Sequence, residues 1–356
     1  MKIVHLLWGL GTGGIENMLV DIVNQQVDDN EISLIVINDM IDESIKARLD
    51  ERIRVYCCGR KLKSKNPLPL MKLNFYLWKA NPEIVHVHYD KIARLILGKR
   101  TLVRTIHNTT NNIVESKYFK ACYAISKAVE DEWRQAGKKT ILVENGISCD
   151  SINCEKNGLF DDGLMHFVQV SRLYIKQKGQ DVVLNALAEI KKRNLCATNF
   201  KMHFVGDGSS KEMLQEMAAS LGISDMVVFE GNKTRDWIYD NLSNFDLFIQ
   251  ASRYEGFGLT VAEALVAKVP VLASCIEGPI EIMGVDVDGK RALAGYVFQP
   301  GNPADLAKQI ASFVQNGRDE KIVELGRQHV LLNYNIQKTA LRYLEEYRRV
   351  LDSKKN

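Results

Sequence analysis

The sequence has 356 residues, of which 46% are apolar and 26% charged, and its formal net charge is +3. This length predicts two domains, and the composition is typical of a soluble globular protein. The small net charge argues against a nucleic-acid partner, and no apolar run reaches the roughly eighteen residues of a spanning helix. The N-terminus lacks a signal-peptide pattern, and the seven cysteines form no C-x-x-C pair, so we expect reduced thiols and a cytoplasmic location.

Short apolar segments alternate with helical patterns along the whole chain. The first strand, KIVHLL, precedes a helix in which Ile15, Met18, Leu19 and Ile22 recur at the spacing of one helix face. Further predicted strands are ISLIVI (32–37), EIVHVH (83–88), TLVRTIH (101–107), MHFVQV (165–170), KMHFVG (201–206), MVVFEG (226–231), LFIQAS (247–252) and VPVLAS (269–274). Apolar strands separated by helices predict an α/β protein with parallel sheets covered on both faces.

The alternation is interrupted by the polar, turn-rich segment 148–164, which we interpret as a linker. The prediction is therefore two doubly wound, Rossmann-like domains, residues 1–155 and 156–335, which face a cleft. Residues 335–351 show one more amphipathic pattern, and we expect this C-terminal helix (336–356) to pack back on the N-terminal domain. In such sheets a ligand binds at the carboxyl ends of the strands.

A basic and aromatic segment lies between residues 52 and 79. It contains no Asp or Glu, and the sequence LNFYLWK within it carries Phe75, Tyr76 and Trp78. Its basic residues are Arg52, Arg54, Arg60, Lys61, Lys63, Lys65, Lys72 and Lys79. One interpretation is a surface that binds an anionic membrane. The other is a solvated loop followed by a helix whose aromatic residues face the core.

The turn after the first strand reads GLGTGG, residues 9–14, and matches the G-x-G-x-x-G pattern of dinucleotide-binding proteins. A nicotinamide-dependent oxidoreductase would place an acidic ribose ligand after the second strand, and Asp39 roughly fits that position. A single match of this kind is weak, so the identity of the ligand depends on the rest of the chain.

The segment RYEGFGLTVAEALVAKVPVLAS, residues 253–274, combines glycines and carboxylates at a predicted strand-to-helix turn. Gly256 and Gly258 permit tight backbone geometry before the helix, and the free amides of its first turn form an anion site. The carboxylates of Glu255 and Glu263 flank that site. Because carboxylates do not hold a phosphate, we expect them to accept hydrogen bonds from hydroxyls, which a nucleotide sugar offers on both sides of its pyrophosphate.

The E-x7-E spacing in EGFGLTVAEA resembles the family 4 glycosyltransferases, which are retaining group 1 enzymes of the GT-B fold. VSRLYIKQKG resembles the element with which that family holds the donor pyrophosphate; Arg172 and Lys178 match it, although one extra residue separates them. Other matching segments are GGIEN (13–17), TIHN (105–108), AISKAV (124–129), ENGI (144–147), VGDG (205–208), GNKT (231–234) and GPIEI (278–282). Residues from about 40 to 80, where acceptor recognition should lie, match nothing specific.

The resemblance implies a hexosyltransferase-type reaction in surface-polysaccharide biosynthesis. A sugar would move with retention from a nucleotide diphosphate sugar, by default a UDP-sugar, to a hydroxyl of a glycan or lipid-linked acceptor. The N-terminal domain would bind the acceptor and the C-terminal domain the nucleotide sugar. The implied catalytic residues are His107, Arg172, Lys178 and Glu255. The implied donor-binding residues are Gly13, Gly14, Gly206, Asn232, Gly256, Phe257, Gly258, Leu259 and Glu263.

By the same resemblance, Arg172 and Lys178 would neutralise the leaving diphosphate, Glu255 and Glu263 would bind sugar and ribose hydroxyls, and His107 would lie beside the donor sugar. We expect no metal and no cofactor other than the donor substrate. The expected location is cytoplasmic, with contact to the inner face of the membrane through the basic segment. Three alternatives remain open: a sugar-nucleotide epimerase of the same fold, the NAD-dependent oxidoreductase, and a binding subunit with a vestigial site.

Overall fold

The computed structural model describes residues 1–11, 13–108, 117–197, 199–284 and 293–353. The chain forms two compact units. Unit 1 comprises Met1–Ile147 and Tyr334–Asn356, and unit 2 comprises Ser148–Asn333. Among the helices in these ranges, none is both long enough and apolar enough to cross a membrane.

Each unit is built on one parallel sheet. The strands of unit 1 are β1 (Lys2–Leu7), β2 (Glu31–Asn38), β3 (Arg54–Arg60), β4 (Ile84–Val87), β5 (Leu102–Ile106), β6 (Ala121–Ala124) and β7 (Ile141–Leu142). The strands of unit 2 are β8 (Met165–Val170), β9 (Phe200–Val205), β10 (Val227–Gly231), β11 (Leu247–Gln250), β12 (Val271–Ser274) and β13 (Tyr296–Phe298). Their orders are β3-β2-β1-β4-β5-β6-β7 and β10-β9-β8-β11-β12-β13. The order reverses between β1 and β4 and between β8 and β11, and these are the switch points at which such sheets bind ligands.

Helices connect the strands. They are α1 (Gly14–Gln26), α2 (Glu43–Lys46), α3 (Leu68–Ala80), α4 (Lys127–Gln135), α5 (Ile175–Lys178), α6 (Gln180–Arg193), α7 (Lys211–Ser220), α8 (Arg235–Asn241), α9 (Leu259–Val266), α10 (Pro279–Met283), α11 (Pro303–Asn316), α12 (Glu320–Asn333) and α13 (Ile336–Asp352). Short 3-10 helices occupy Asp90–Leu95, Cys149–Ser151, Ser224–Met226 and Leu242–Asn244.

The strands predicted from apolar runs are all present, because a parallel strand buried on both faces requires such a run. The sequence pattern does not predict β3, β6, β7 or β13. The interpretation of the basic segment as a solvated loop is wrong for residues 54–60, since β3 pairs with β2 along the edge of the sheet.

The unit boundaries follow from local contacts. The backbone of Asn153 donates to the Tyr239 carbonyl and its side chain to the Asp240 carbonyl, so the segment from residue 148 onward belongs with unit 2. The sequence-based boundary lies at 155/156 instead. At the other end, α13 packs against α1 in unit 1, and Ala340 and Tyr347 are buried in the same core as α1.

Candidate functional site

The carboxyl ends of β8 and β11 are neighbours at the switch point of unit 2, and the predicted cationic and acidic residues meet there. Arg172 follows β8, Lys178 ends α5, and Glu255 lies in the loop between β11 and α9. The Lys178 ammonium donates to Glu255 Oε1 at 2.5 Å. Only 17% of the Lys178 side chain and 10% of the Glu255 side chain are exposed. The topology of the sheet therefore joins two residues that are distant in sequence.

The Glu255 carboxylate is held by three donors, all of which bind the same oxygen. Besides Lys178, Gln250 Nε2 donates to Oε1 at 3.0 Å and Ser252 Oγ at 2.9 Å. Ser252 is fixed in turn, because Ser274 Oγ donates to its carbonyl at 2.6 Å. Oε2 takes part in none of these bonds and retains its lone pairs for a ligand hydroxyl. Sequence reasoning missed Gln250 and Ser252.

The α5 turn is fixed to the β11 loop by polar contacts beyond the Lys178 ion pair. Arg253 forms an ion pair with Asp181 at 2.7 Å, and its backbone amide donates to the Gln177 carbonyl. Gln169 Nε2 donates to the Lys178 carbonyl at 2.8 Å. These contacts set the position of Lys178 before any ligand binds, which is a requirement for electrostatic stabilisation of a reaction.

The predicted anion site lies at the same edge of the sheet. Helix α9 begins at Leu259 after Gly258, whose φ of +106° is a left-handed conformation suited to glycine, and no side chain in the described part of the chain caps the helix. Phe257 is buried beneath this turn and Gly256 is half-buried. Arg172 is exposed and forms no ion pair with any residue that the structure describes. A guanidinium and an uncapped helix N-terminus together favour a phosphate group.

Glu263 lies one turn into α9 and is supported from α8. Tyr239, which is buried, donates its hydroxyl to Glu263 Oε1 at 3.1 Å. Arg235 Nη2 donates to the Tyr239 hydroxyl at 2.5 Å. Sequence reasoning missed both partners, because neither belongs to a motif. Their contacts orient the second carboxylate of the E-x7-E pair.

Two more predicted residues continue along the same edge. Gly206 follows β9 and donates its amide to the Gly231 carbonyl at 2.8 Å. A Cβ at Gly206 would lie 2.1 Å from the Ser171 carbonyl oxygen, so the two loops pack backbone to backbone. Asn232 is exposed directly after β10. The carboxyl ends of β10, β9, β8 and β11 thus carry the predicted residues of unit 2 in one row.

The remaining predicted residues belong to unit 1. Gly13 precedes α1 and Gly14 is its first residue, and both are exposed. His107 directly follows β5, is 8% exposed, and lies with its Nε2 3.1 Å from Nδ1 of His88. Burial, and secondarily the nearby Arg104 guanidinium, lowers the pKa of His107 to about 3, so its imidazole is neutral at pH 7.

The exposed side of α3 carries the aromatic part of the basic segment. Leu68, Met71, Phe75 and Trp78 are 50%, 66%, 54% and 70% exposed. Of the aromatic residues, only Tyr76 turns inward, where its ring stacks on Tyr56 at 4.8 Å. The expectation that these aromatics face the core is therefore wrong for Phe75 and Trp78. We call the exposed residues Leu68, Met71, Lys72, Phe75, Trp78 and Lys79 the α3 face.

Comparison with known families agrees with this arrangement. Residues 153–329 match the family described as "Glycosyl transferases group 1", and residues 12–151 match "Glycosyltransferase Family 4". The chain belongs to the group 1 glycosyltransferases. This membership confirms the predicted family and the transferase class, and the oxidoreductase interpretation of GLGTGG is wrong.

Individual relatives of this glycosyltransferase are distant in sequence. Over 332 residues it is 24% identical to a lipopolysaccharide 1,6-galactosyltransferase of Escherichia coli K12. The aligned region covers 85% of this chain and 86% of that protein. It is also 24% identical, over 311 residues, to an N-acetyl-alpha-D-glucosaminyl L-malate synthase of Bacillus anthracis, with 78% and 77% of the two chains covered.

Solved structures establish the fold. The crystal structure of HepE from Anabaena in complex with UDP and glucose superposes with a TM-score of 0.81 at 20% identity, over 97% of this chain and 99% of that one. A sucrose-phosphate synthase from Thermosynechococcus elongatus superposes with a TM-score of 0.82 at 15% identity, over 99% and 100%. Two parallel-sheet α/β units of this kind are the GT-B fold, as predicted.

Proposed function

We propose that this glycosyltransferase moves a sugar from a UDP-sugar to a hydroxyl of a polysaccharide or lipid-linked acceptor, with retention of anomeric configuration. The observation that carries the proposal is the Glu255 carboxylate, whose Oε1 is occupied by three donors while Oε2 is left for a ligand hydroxyl. The exposed Arg172 and the N-terminus of α9 follow the neighbouring strands β8 and β11 at the same edge of the sheet. Similarity to a lipopolysaccharide galactosyltransferase and to a protein solved with UDP and glucose supports the choice of substrates.

Arg172, Lys178 and the first-turn amides of α9 would stabilise the negative charge that develops on the leaving diphosphate. Each provides a fixed positive charge or dipole, and stabilisation of this kind contributes most when the groups need no rearrangement. A monodentate ammonium and a planar guanidinium together offer several donors to phosphate oxygens, so this proposal requires no metal ion. Lys178 would be shared between the diphosphate and Glu255, its partner in the ligand-free protein.

Retention would arise by displacement on one face of the sugar. The bond between the acceptor oxygen and the anomeric carbon forms as the bond from that carbon to the diphosphate oxygen breaks, and the acceptor proton passes to the departing diphosphate. The alternative, a covalent glycosyl-enzyme, needs a carboxylate nucleophile. Three hydrogen bonds to Oε1 make Glu255 a weak nucleophile, and we assign it to the sugar hydroxyls instead.

The other predicted donor-binding residues keep their assignments within this proposal. Glu263, oriented by Tyr239, would accept from the ribose hydroxyls, while Gly206 and Asn232 would approach the nucleotide at the ends of β9 and β10. Backbone groups at Gly13 and Gly14 would approach the diphosphate, and His107 would contact the donor sugar. The acceptor remains the least constrained partner, since no motif of the chain specifies it.

A panel of nucleotide sugars tests the proposal, read first by thermal stabilisation and then by hydrolysis. We expect UDP and at least one UDP-sugar to raise the melting temperature, and the Arg172→Ala variant to lose this response. Arg193→Ala, at an exposed ion pair on α6, is the matched control. Stabilisation by NAD and by no nucleotide sugar would contradict the proposal. Conversion of the donor into an epimeric nucleotide sugar without release of nucleoside diphosphate would identify the epimerase alternative.

We also propose that the α3 face contacts an anionic membrane, where a lipid-linked acceptor would be presented. Four large apolar side chains of this face are at least half exposed, and Lys72 and Lys79 lie beside them on the same helix. The exposed Lys61, Lys63 and Lys65 precede the helix, and no acidic residue occurs between residues 52 and 79. Apolar insertion combined with attraction to anionic lipid, about 1 kcal/mol for each basic residue near the surface, is the usual basis of peripheral binding.

Vesicle co-sedimentation tests the membrane contact. We expect binding to vesicles that contain phosphatidylglycerol, weakening at high salt, and loss of binding in Phe75→Glu/Trp78→Glu. Leu325→Glu/Leu341→Glu alters two leucines that are exposed to a similar degree on α12 and α13, and this variant should bind normally. Equal binding by both double variants would show that the α3 face is not the contact.

A further inference from the structure

Three buried histidines of unit 1 form a continuous chain of imidazoles. His5 Nδ1 lies 3.1 Å from His88 Nε2, and His88 Nδ1 lies 3.1 Å from His107 Nε2. The rings of both pairs lie edge to edge, with centroids 5.4 Å apart and ring planes inclined by 24° and 25°. The three side chains are 0%, 4% and 8% exposed. The chain thus extends from the sheet interior to His107 at the end of β5.

The register of the sheet brings these residues together. His5 on β1 pairs with His86 on β4, and His86 pairs with Val103 on β5. Because alternate residues of a strand share a face, His88 and His107 project from the same side as His5. His86 is not part of this row of histidines, because its two ring nitrogens contact the Tyr347 and Thr105 hydroxyls.

The three histidines of this row are neutral at pH 7. Burial lowers the pKa of His5 to about 3, an effect that the Gln26 side chain partly opposes, and burial lowers the pKa of His88 well below its usual value. A neutral imidazole has one N–H and one lone pair. In a hydrogen-bonded row of neutral imidazoles each ring donates to the next, so the tautomer of one ring determines the tautomers of the others.

The inner end of the row, at His5, favours one direction of hydrogen-bond donation along the three histidines. Gln26 is buried, and its Nε2 donates to the Ala340 carbonyl, which leaves Oε1 as an acceptor. Gln26 Oε1 and His5 Nε2 are both buried and have no partner in hydrogen-bonding geometry within the described ranges. The two side chains interact, since Gln26 raises the pKa of His5. An acceptor at this end favours the proton on His5 Nε2, because a buried N–H without an acceptor is costly.

We propose that Gln26, His5 and His88 are positioning residues that hold His107 in the Nε2–H tautomer, with its Nδ1 lone pair presented to a hydroxyl of the donor sugar. The row then runs from His107 Nε2–H to His88 Nδ1, from His88 Nε2–H to His5 Nδ1, and from His5 Nε2–H towards Gln26. His107 Nδ1 is buried and has no partner among the residues that the structure describes. The identity of its ligand rests on the proposed function; the tautomer does not.

The tautomer determines which ligand groups His107 accepts. A lone pair on Nδ1 binds a hydroxyl that donates, and it repels phosphate and carbonyl oxygens, which only accept. The opposite tautomer would present an N–H and favour those oxygens. The histidine row therefore directs His107 to the sugar rather than to the diphosphate.

Metal binding is the competing use of the same histidines. Ring nitrogens of His5, His86 and His88 lie within 4.8 Å of one another. An ion at that point would displace the contacts of His86 with Tyr347 and Thr105 and the contact of His5 with His88. We therefore favour the hydrogen-bonded row.

Nitrogen-15 NMR of the histidine rings tests the tautomer without any need for turnover. With only seven histidines in the chain, signals are assignable by substitution. We expect His107 to show an unprotonated Nδ1 and a protonated Nε2. His88→Leu should redistribute the His107 proton, while His88→Asn, whose amide oxygen accepts at the place of Nδ1, should preserve it. A protonated Nδ1 in the unaltered protein, or a His107 signal unchanged in His88→Leu, would overturn the proposal.

Kinetics supply the second readout. We expect His88→Leu to lower kcat for the best donor about tenfold or more, with the affinity for UDP unchanged, and His88→Asn to restore most of the rate. If His88→Leu does not fold, Gln26→Leu alters only the far end of the row and should shift the same NMR signals. Absence of nucleotide-sugar turnover in the unaltered protein would refute the proposed function, while the NMR result would still decide the tautomer.

Discussion

The Glu255→Gln variant tests the assignment of the first carboxylate most closely. The substitution keeps the shape of the side chain and removes its charge. Three hydrogen bonds to a charged acceptor become bonds to a neutral one, at a loss of about 1 kcal/mol each. Solvent screens this loss little, because only 10% of the side chain is exposed. If the amide oxygen replaces Oε1, the amide NH₂ replaces Oε2, and the sugar hydroxyl loses its acceptor.

For the reaction we expect kcat/KM to fall about hundredfold, which corresponds to roughly 3 kcal/mol of transition-state stabilisation. Calorimetry should show that the affinity for UDP, which has no donor sugar, changes little while the affinity for the UDP-sugar falls. Glu216→Gln, an exposed glutamate on α7, is the matched control. A kcat/KM within twofold of the unaltered enzyme, or equal losses for UDP and the UDP-sugar, would refute the assignment of Glu255 to the sugar.

Three further predictions concern the stability of glycine variants, the affinity for UDP, and the dependence of stability on pH. Gly179→Ala would place a Cβ 1.9 Å from a backbone carbonyl oxygen of the β11 loop at φ +65°, whereas Gly222→Ala at φ +68° meets open space. We expect thermal unfolding to show that Gly179→Ala lowers the free energy of unfolding by about 3 kcal/mol and Gly222→Ala by about 1 kcal/mol. Equal losses in the two variants would contradict the close approach of Gly179 to the β11 loop. Tyr239→Phe removes the hydroxyl donor to the α9 carboxylate and should weaken UDP binding about fivefold by calorimetry, so unchanged affinity would count against the ribose assignment. The folded-state pKa values of His5 and His107, about 3, lie below the unfolded value of about 6.5, so the unfolded state binds protons first as the pH falls. Unfolding followed by fluorescence should show unit 1 less stable at pH 5 than at pH 7 by about 2 kcal/mol for each of these histidines, and pH-independent stability would contradict their burial.

The fold was largely predictable because most strands are buried on both faces and therefore appear as continuous apolar runs. The exceptions have physical reasons. Strand β3 has the mixed sequence RVYCCGR and lies at the edge of the sheet beside β2, and β7 consists of two residues. Strand β13 has only three residues, and β6, with the sequence ACYA, contains no β-branched residue, whereas the equally short strands β4, β11 and β12 each contain Val or Ile.

The candidate site was predictable only as far as motif spacing extends. Arg172, Lys178 and Glu255 follow from that spacing, but their contacts depend on the pairing of β8 with β11. Gln250 and His5 were missed, although each is a polar residue within an otherwise apolar, buried strand, a pattern that could have indicated both. Which neighbour such a residue contacts depends on the register between strands, and the sequence does not specify that register.

The most direct test of glycosyl transfer with retention is a time course by proton NMR on the donor selected by the nucleotide-sugar panel. Hydrolysis of an α-linked donor should release nucleoside diphosphate together with the free sugar. The α anomer of that sugar should appear first, before mutarotation supplies the β anomer. An initial β-configured product would contradict retention. Conversion of the donor to a different nucleotide sugar, with no diphosphate released, would contradict glycosyl transfer itself.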